Sequence, residues 1–98
     1  MAAYLFEIEL SEMTDEIAAV IPHHREQISK LFAEGRILSY SVSIRRTFIW
    51  CVVNAEEEQE AMGIVYALPL YPYFTEVSCH PLLFHNVLPA TLPGISLN

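Results

Sequence analysis

The chain has 98 residues, with 5 Lys+Arg against 12 Asp+Glu and a formal net charge of -7. That length predicts one domain, and the acidic balance excludes a protein that tracks nucleic-acid phosphates or settles on an anionic membrane. Hydrophobic residues make up 53% and charged residues only 17%, more apolar surface than a small monomer hides well, so a homodimer or higher homo-oligomer is expected.

No uncharged stretch reads as a membrane span. The longest, from Val77 to Asn98, is broken by Pro81, Pro89 and Pro93. The start of the chain lacks a basic segment followed by an apolar one, so no secretory signal is expected. Cys51 and Cys79 do not make a disulfide framework and fit buried free thiols. These features together predict a cytoplasmic setting.

Residues 4–10, Tyr-Leu-Phe-Glu-Ile-Glu-Leu, alternate as a strand, with Tyr4, Phe6, Ile8 and Leu10 on one side and Leu5, Glu7 and Glu9 on the other. Ser11 to Thr14 supplies a turn and a helix cap, followed by Asp15 and Glu16 in an acidic first turn. Ile17, Val20, Ile21, Ile28, Leu31 and Phe32 then recur at helical spacing, and Gly35 ends the helix. Pro22 lies inside it and removes one backbone hydrogen bond, so a kink or split is expected there.

Residues 37–44 and 47–54 read as two strands joined through Arg45 and Arg46. Arg-Arg is a poor two-residue turn, so a longer loop is expected. An even loop places Ser39, Ser41 and Ser43 on one face with Val52, Trp50 and Phe48. The opposite face then carries Leu38, Tyr40 and Val42 beside Val53, Cys51 and Ile49. Asn54 and Glu57 match a capping box for a second helix. That helix has Ala61, Met62, Val65 and Leu68 as its inner stripe and Pro69 as its stop. Residues 73–80 form a fourth strand. The order β-α-β-β-α-β predicts a ferredoxin-like α+β fold, with a four-stranded antiparallel sheet and two helices on one face. Its domain covers residues 1–82. Residues 83–98, rich in apolar side chains without a core of their own, are expected to dock as an arm on a neighbouring subunit.

The run Ala67-Leu68-Pro69-Leu70-Tyr71-Pro72-Tyr73-Phe74, with Glu76-Val77 and Pro81-Leu82 after it, resembles the muconolactone isomerase family. The likeness extends more weakly over residues 4–85, through Leu5-Phe6-Glu7-Ile8, the helix ending at Gly35 and the acidic start of the second helix. The resemblance implies a dimeric α+β barrel. It also implies a cofactor-free proton shift in a small unsaturated lactone acid of aromatic-compound breakdown. Where that family carries a charged run in its first helix, this chain has Pro22-His23-His24-Arg25, so no catalytic carboxylate carries over.

His24 falls on the buried stripe of the first helix, where an imidazole suits a general base. Tyr40 faces the same helix and is the candidate donor to a developing oxyanion. Arg25 and Tyr73 are the candidate substrate contacts, Arg25 for a carboxylate. The bland reading makes His24 a core histidine bonded to a carbonyl freed by Pro22. Glu7 and Glu9 read as solvated interface carboxylates, and Arg45 and Arg46 as exposed hairpin residues far from a helix-covered pocket. His23, His24, His80 and His85 lack metal-ligand spacing, so neither a metal nor a cofactor is expected. Two other functions fit the same scaffold, a non-catalytic small-molecule-binding or structural oligomer and a cofactor-free oxygenase.

Overall fold

A computed structural model describes residues 1–87. The elements are β1 (Ala2–Leu10), α1 (Asp15–Ala33), β2 (Ile37–Val42), β3 (Phe48–Ala55), α2 (Glu58–Tyr66), a short 3-10 turn (Tyr71–Tyr73) and β4 (Phe74–Leu82). The sheet order is β2-β3-β1-β4, with every neighbouring pair antiparallel. This is the ferredoxin-like α+β fold, and it matches the β-α-β-β-α-β order read from the chain.

Alternation in the strands decides which face the helices cover. Phe6 stands between Cys51 and Cys79, and Ile8 between Ile49 and Val77. These side chains meet Ile28 and Leu31 of α1 and Ala61 and Val65 of α2 in one core. Glu7, Glu9, Trp50 and Phe48 point to the other face, where the Phe48 and Trp50 rings stack with centroids 5.7 Å apart. Trp50 Nε1 donates to Glu7 Oε2 at 3.2 Å.

Helix α1 starts where Thr14 Oγ1 accepts from the Ile17 amide. It ends in a Schellman closure. Gly35, at φ 73°, takes the left-handed conformation that suits glycine, while Gly35 N–H and Arg36 N–H donate to Phe32 and Leu31 carbonyls. Pro22 does not split the helix, which is continuous from Asp15 to Ala33. The proline is exposed, so water can satisfy the Ala18 carbonyl that its missing N–H leaves free.

Two local expectations need correction. The β2–β3 register runs Val42↔Ile49, Ser41↔Trp50, Tyr40↔Cys51 and Ser39↔Val52, then shifts so that Ile37 pairs with Val53. The irregularity at Leu38 puts Ile37, not Leu38, into the core, where it is 2% exposed. Asn54 is not the cap of α2. Strand β3 continues through Ala55, which pairs with Ala2 and is fully buried. Asn54 Nδ2 instead donates to the Gly35 carbonyl, and α2 begins after Glu57 with no side-chain cap bond.

The arm expected over residues 83–98 lies outside the described residues beyond Val87. Within the described part, Leu83, Phe84 and Val87 are exposed. No helix of the described residues is long and apolar enough to cross a membrane.

Candidate functional site

A cavity of about 560 Å³ opens between α1 and the helix-covered side of the sheet, a size suited to a small organic ligand. Its floor is strand residues Tyr40, Val42 and Ile49, and α1 supplies Ile21, His24, Arg25, Ile28, Ser29 and Phe32. Leu10, Met13, Arg46 and Leu70 complete the lining. No Asp or Glu is among these residues.

The fold brings His24 to Tyr40. His24 sits on the inner side of α1 and is 2% exposed. Its Nε2 lies 2.7 Å from Tyr40 Oη, with the ring planes inclined at 51°. On the other side of the imidazole, the Leu70 backbone N–H donates to Nδ1 at 3.4 Å. An amide can only donate, so Nδ1 must accept. The proton of the neutral ring therefore lies on Nε2 and is given to Tyr40 Oη, a tautomer fixed by the hydrogen-bond network. Tyr40 keeps its own O–H, which is free to donate into the cavity. None of these partners is a carbonyl freed by Pro22.

Burial sets the protonation states. It pulls His24 down to about 4, with the charge of neighbouring His23 adding to the effect. Burial also raises the Tyr40 phenol above its ordinary value, with Cys51 contributing. The Cys51 thiol, buried under the helices, is itself pushed up to about 12. At neutral pH the site is thus an uncharged imidazole and an intact phenol, with guanidinium groups at its edge.

Arg25 lines the cavity. Tyr73 does not. Its hydroxyl donates to Glu16 Oε1 at 3.1 Å near the start of α1, and it is not among the residues that the fold brings to the cavity. Arg46 lines the cavity although the sequence placed it far from any pocket. Leu10 N–H donates to the Thr47 carbonyl, which extends the β1–β3 ladder one step past Glu9 and Phe48, and Leu10 and Arg46 both line the cavity at this end. The Leu70 amide was also missed, because a main-chain donor carries no residue-type signal.

A second hollow of about 310 Å³ lies on the opposite sheet face, lined by Glu7, Glu9, Phe48, Glu76 and Ser78. Among the described residues, no group of three or more His, Cys, Asp and Glu side chains is arranged to hold a metal ion.

Fold and cavity together define a small ferredoxin-like α+β domain with a ligand-sized chamber beneath its first helix. Its fold is similar to that of 5-chloro-2-hydroxyhydroquinone dehydrochlorinase (TftG) from Burkholderia phenoliruptrix AC1100, solved in complex with 2,5-dihydroxybenzoquinone. The match has 15% sequence identity and a TM-score of 0.55, and it covers 78% of this chain and 90% of that chain. Neither a family model nor a curated relative matches the chain. At this identity the likeness concerns the fold.

Proposed function

We propose that the chain binds a small, oxygenated, unsaturated ring acid of aromatic-compound catabolism and catalyses a cofactor-independent shift of its C=C bond, as the resemblance to muconolactone isomerases implies. The observation that carries this reading is the Leu70–His24–Tyr40 hydrogen-bond chain ending in the cavity. A substrate carbonyl placed against Tyr40 would accept its O–H. That bond strengthens as the oxygen gains charge in an enolate. The carbon-bound proton would leave to water at the cavity's open edge and return at the far end of the conjugated system. His24 acts through Tyr40 and not as the base, since both its nitrogens are engaged and its basicity is depressed. The fold shared with TftG, solved with an oxygenated six-membered ring bound, supports a ligand of this kind. We assign the working form to a homodimer or larger homo-oligomer, paired through the sheet face that carries Phe48 and Trp50.

A second reading, a non-catalytic small-molecule-binding protein, is favoured by one observation. No carboxylate lines the cavity, so it holds no strong built-in base. Incubating the chain with muconolactone in D2O and following ring protons by NMR separates the two. An enzyme accelerates exchange and isomerisation, and Tyr40→Phe slows them by roughly 10²–10³-fold, the usual effect of deleting an oxyanion donor. Saturable chemical-shift changes with no exchange above the solvent background establish the binding protein instead.

A further inference from the structure

Arg46, itself exposed, lines the edge of the cavity in a backbone conformation that carries a cost. Its φ is 61°, the only positive φ of a non-glycine residue among those described. That left-handed region disfavours a side chain with a Cβ, and hairpins normally place glycine or asparagine there. The hairpin holds Arg46 in place by several bonds. Arg46 N–H donates to the Ser43 carbonyl, and Ser43 N–H to the Phe48 carbonyl. Ser43 Oγ accepts from the amides of Thr47 and Phe48 at 3.1 and 3.0 Å. A strained residue kept by its surroundings is a recognised mark of a functional position.

Charge gives an independent argument. The chain has 12 acidic side chains and 5 Lys+Arg. Yet the cavity is lined by Arg25 and Arg46 and by no carboxylate. The salt bridges among the described residues, His23–Glu26 and Arg36–Glu60, leave both cavity arginines without an acidic partner. A cleft of one sign with apolar walls concentrates its field on an incoming ion of the other sign. Guanidinium is also the side chain best shaped to grip a carboxylate through two N–H donors.

We infer that Arg46 is a specificity-determining residue, whose strained hairpin position presents a guanidinium to the carboxylate of a ring acid bound beneath α1. This deepens, and rests on, the reading of the cavity as a ligand site. It commits the ligand to the anionic class and makes the β2–β3 hairpin the element that selects it.

The test uses the whole chain with benzoate and 2-furoate, each matched against its neutral carboxamide. Binding is followed by NMR shifts of the His24 and Tyr40 rings, and stability by thermal unfolding. The wild type should prefer each carboxylate to its amide. Arg46→Gly should weaken carboxylate binding about tenfold, leave amide binding in place, and raise the unfolding temperature, because glycine relieves the strained φ. Arg46→Lys should keep much of the carboxylate preference. If the wild type prefers carboxylates and Arg46→Gly binds them equally well, Arg46 is not the selector, while the cavity reading survives. If no probe shifts either ring, both the cavity reading and this inference fall.

Discussion

His24 pairs a polar ring with near-complete burial, and that combination makes stability depend on pH. In the unfolded chain its imidazole returns to about 6.5, whereas in the fold it is held at about 4. Between these values the unfolded state binds the extra proton, so acid favours unfolding. The contribution is fully present above pH 6.5 and is lost as pH falls towards 4. Thermal unfolding across that interval should show a falling midpoint, and His24→Gln should flatten the fall. A wild-type curve that stays level over the same interval would contradict the buried, neutral imidazole. At this scale the sequence shows which residue types are present but not which bonds they make. Helical spacing alone turns His24 inward, and strand alternation turns Tyr40 towards it. Nothing in the one-dimensional pattern reveals that a backbone amide forty-six residues away in the chain fixes the tautomer. Tyr73, sharing a segment with Leu70, gives the opposite lesson, because its hydroxyl bonds to Glu16 and it is not among the residues lining the cavity.

Among the elements, α1 tolerates Pro22 because the proline faces solvent. The same exposure lets its removal help. Pro22→Ala restores an N–H donor for the Ala18 carbonyl and removes a residue about 3 kcal/mol worse than alanine inside a helix. Part of that gain is offset by the greater freedom of the unfolded chain. A stabilisation of about 1–2 kcal/mol in urea unfolding is expected, and a destabilised variant would mean that the proline shapes the helix's packing. Strand and helix positions are legible from periodicity, since alternation in 4–10 and 47–54 and the apolar stripe of α1 each leave one arrangement that hides them. The departures occur where that logic weakens. At residues 37 and 38 two apolar side chains stand side by side, and pattern cannot say which one a shift in register turns inward. At 54–57 the polar signature of a cap is present, but the pairing of Ala55 with Ala2 extends the strand past it. The hairpin is the third case, because a turn built around a left-handed arginine breaks the residue preferences from which turns are read.

For the whole molecule, the proposed assembly rests on the open face of the sheet. Phe48 and Trp50 stack there beside Glu7, with Trp50 36% exposed. Pairing two such faces would take these rings out of water, while the carboxylates Glu9 and Glu76 could stay at a wetted edge. Sedimentation at micromolar concentration should give a dimer or larger species, and Trp50→Arg should shift it to monomer with its circular dichroism unchanged. A wild type that stays monomeric at those concentrations would overturn the assignment.

The cavity's two arginines set a local field against a negatively charged body. A negative ligand far from the surface feels the body and is pushed away, and only near the cavity does it feel the guanidinium groups. Moderate salt, with a screening length of about 10 Å at 0.1 M, mutes the distant repulsion more than the close attraction. Entry of an anionic ligand is therefore eased by salt levels that would slow capture by an ordinary basic cleft, a kinetic inversion that follows from where these two residues sit.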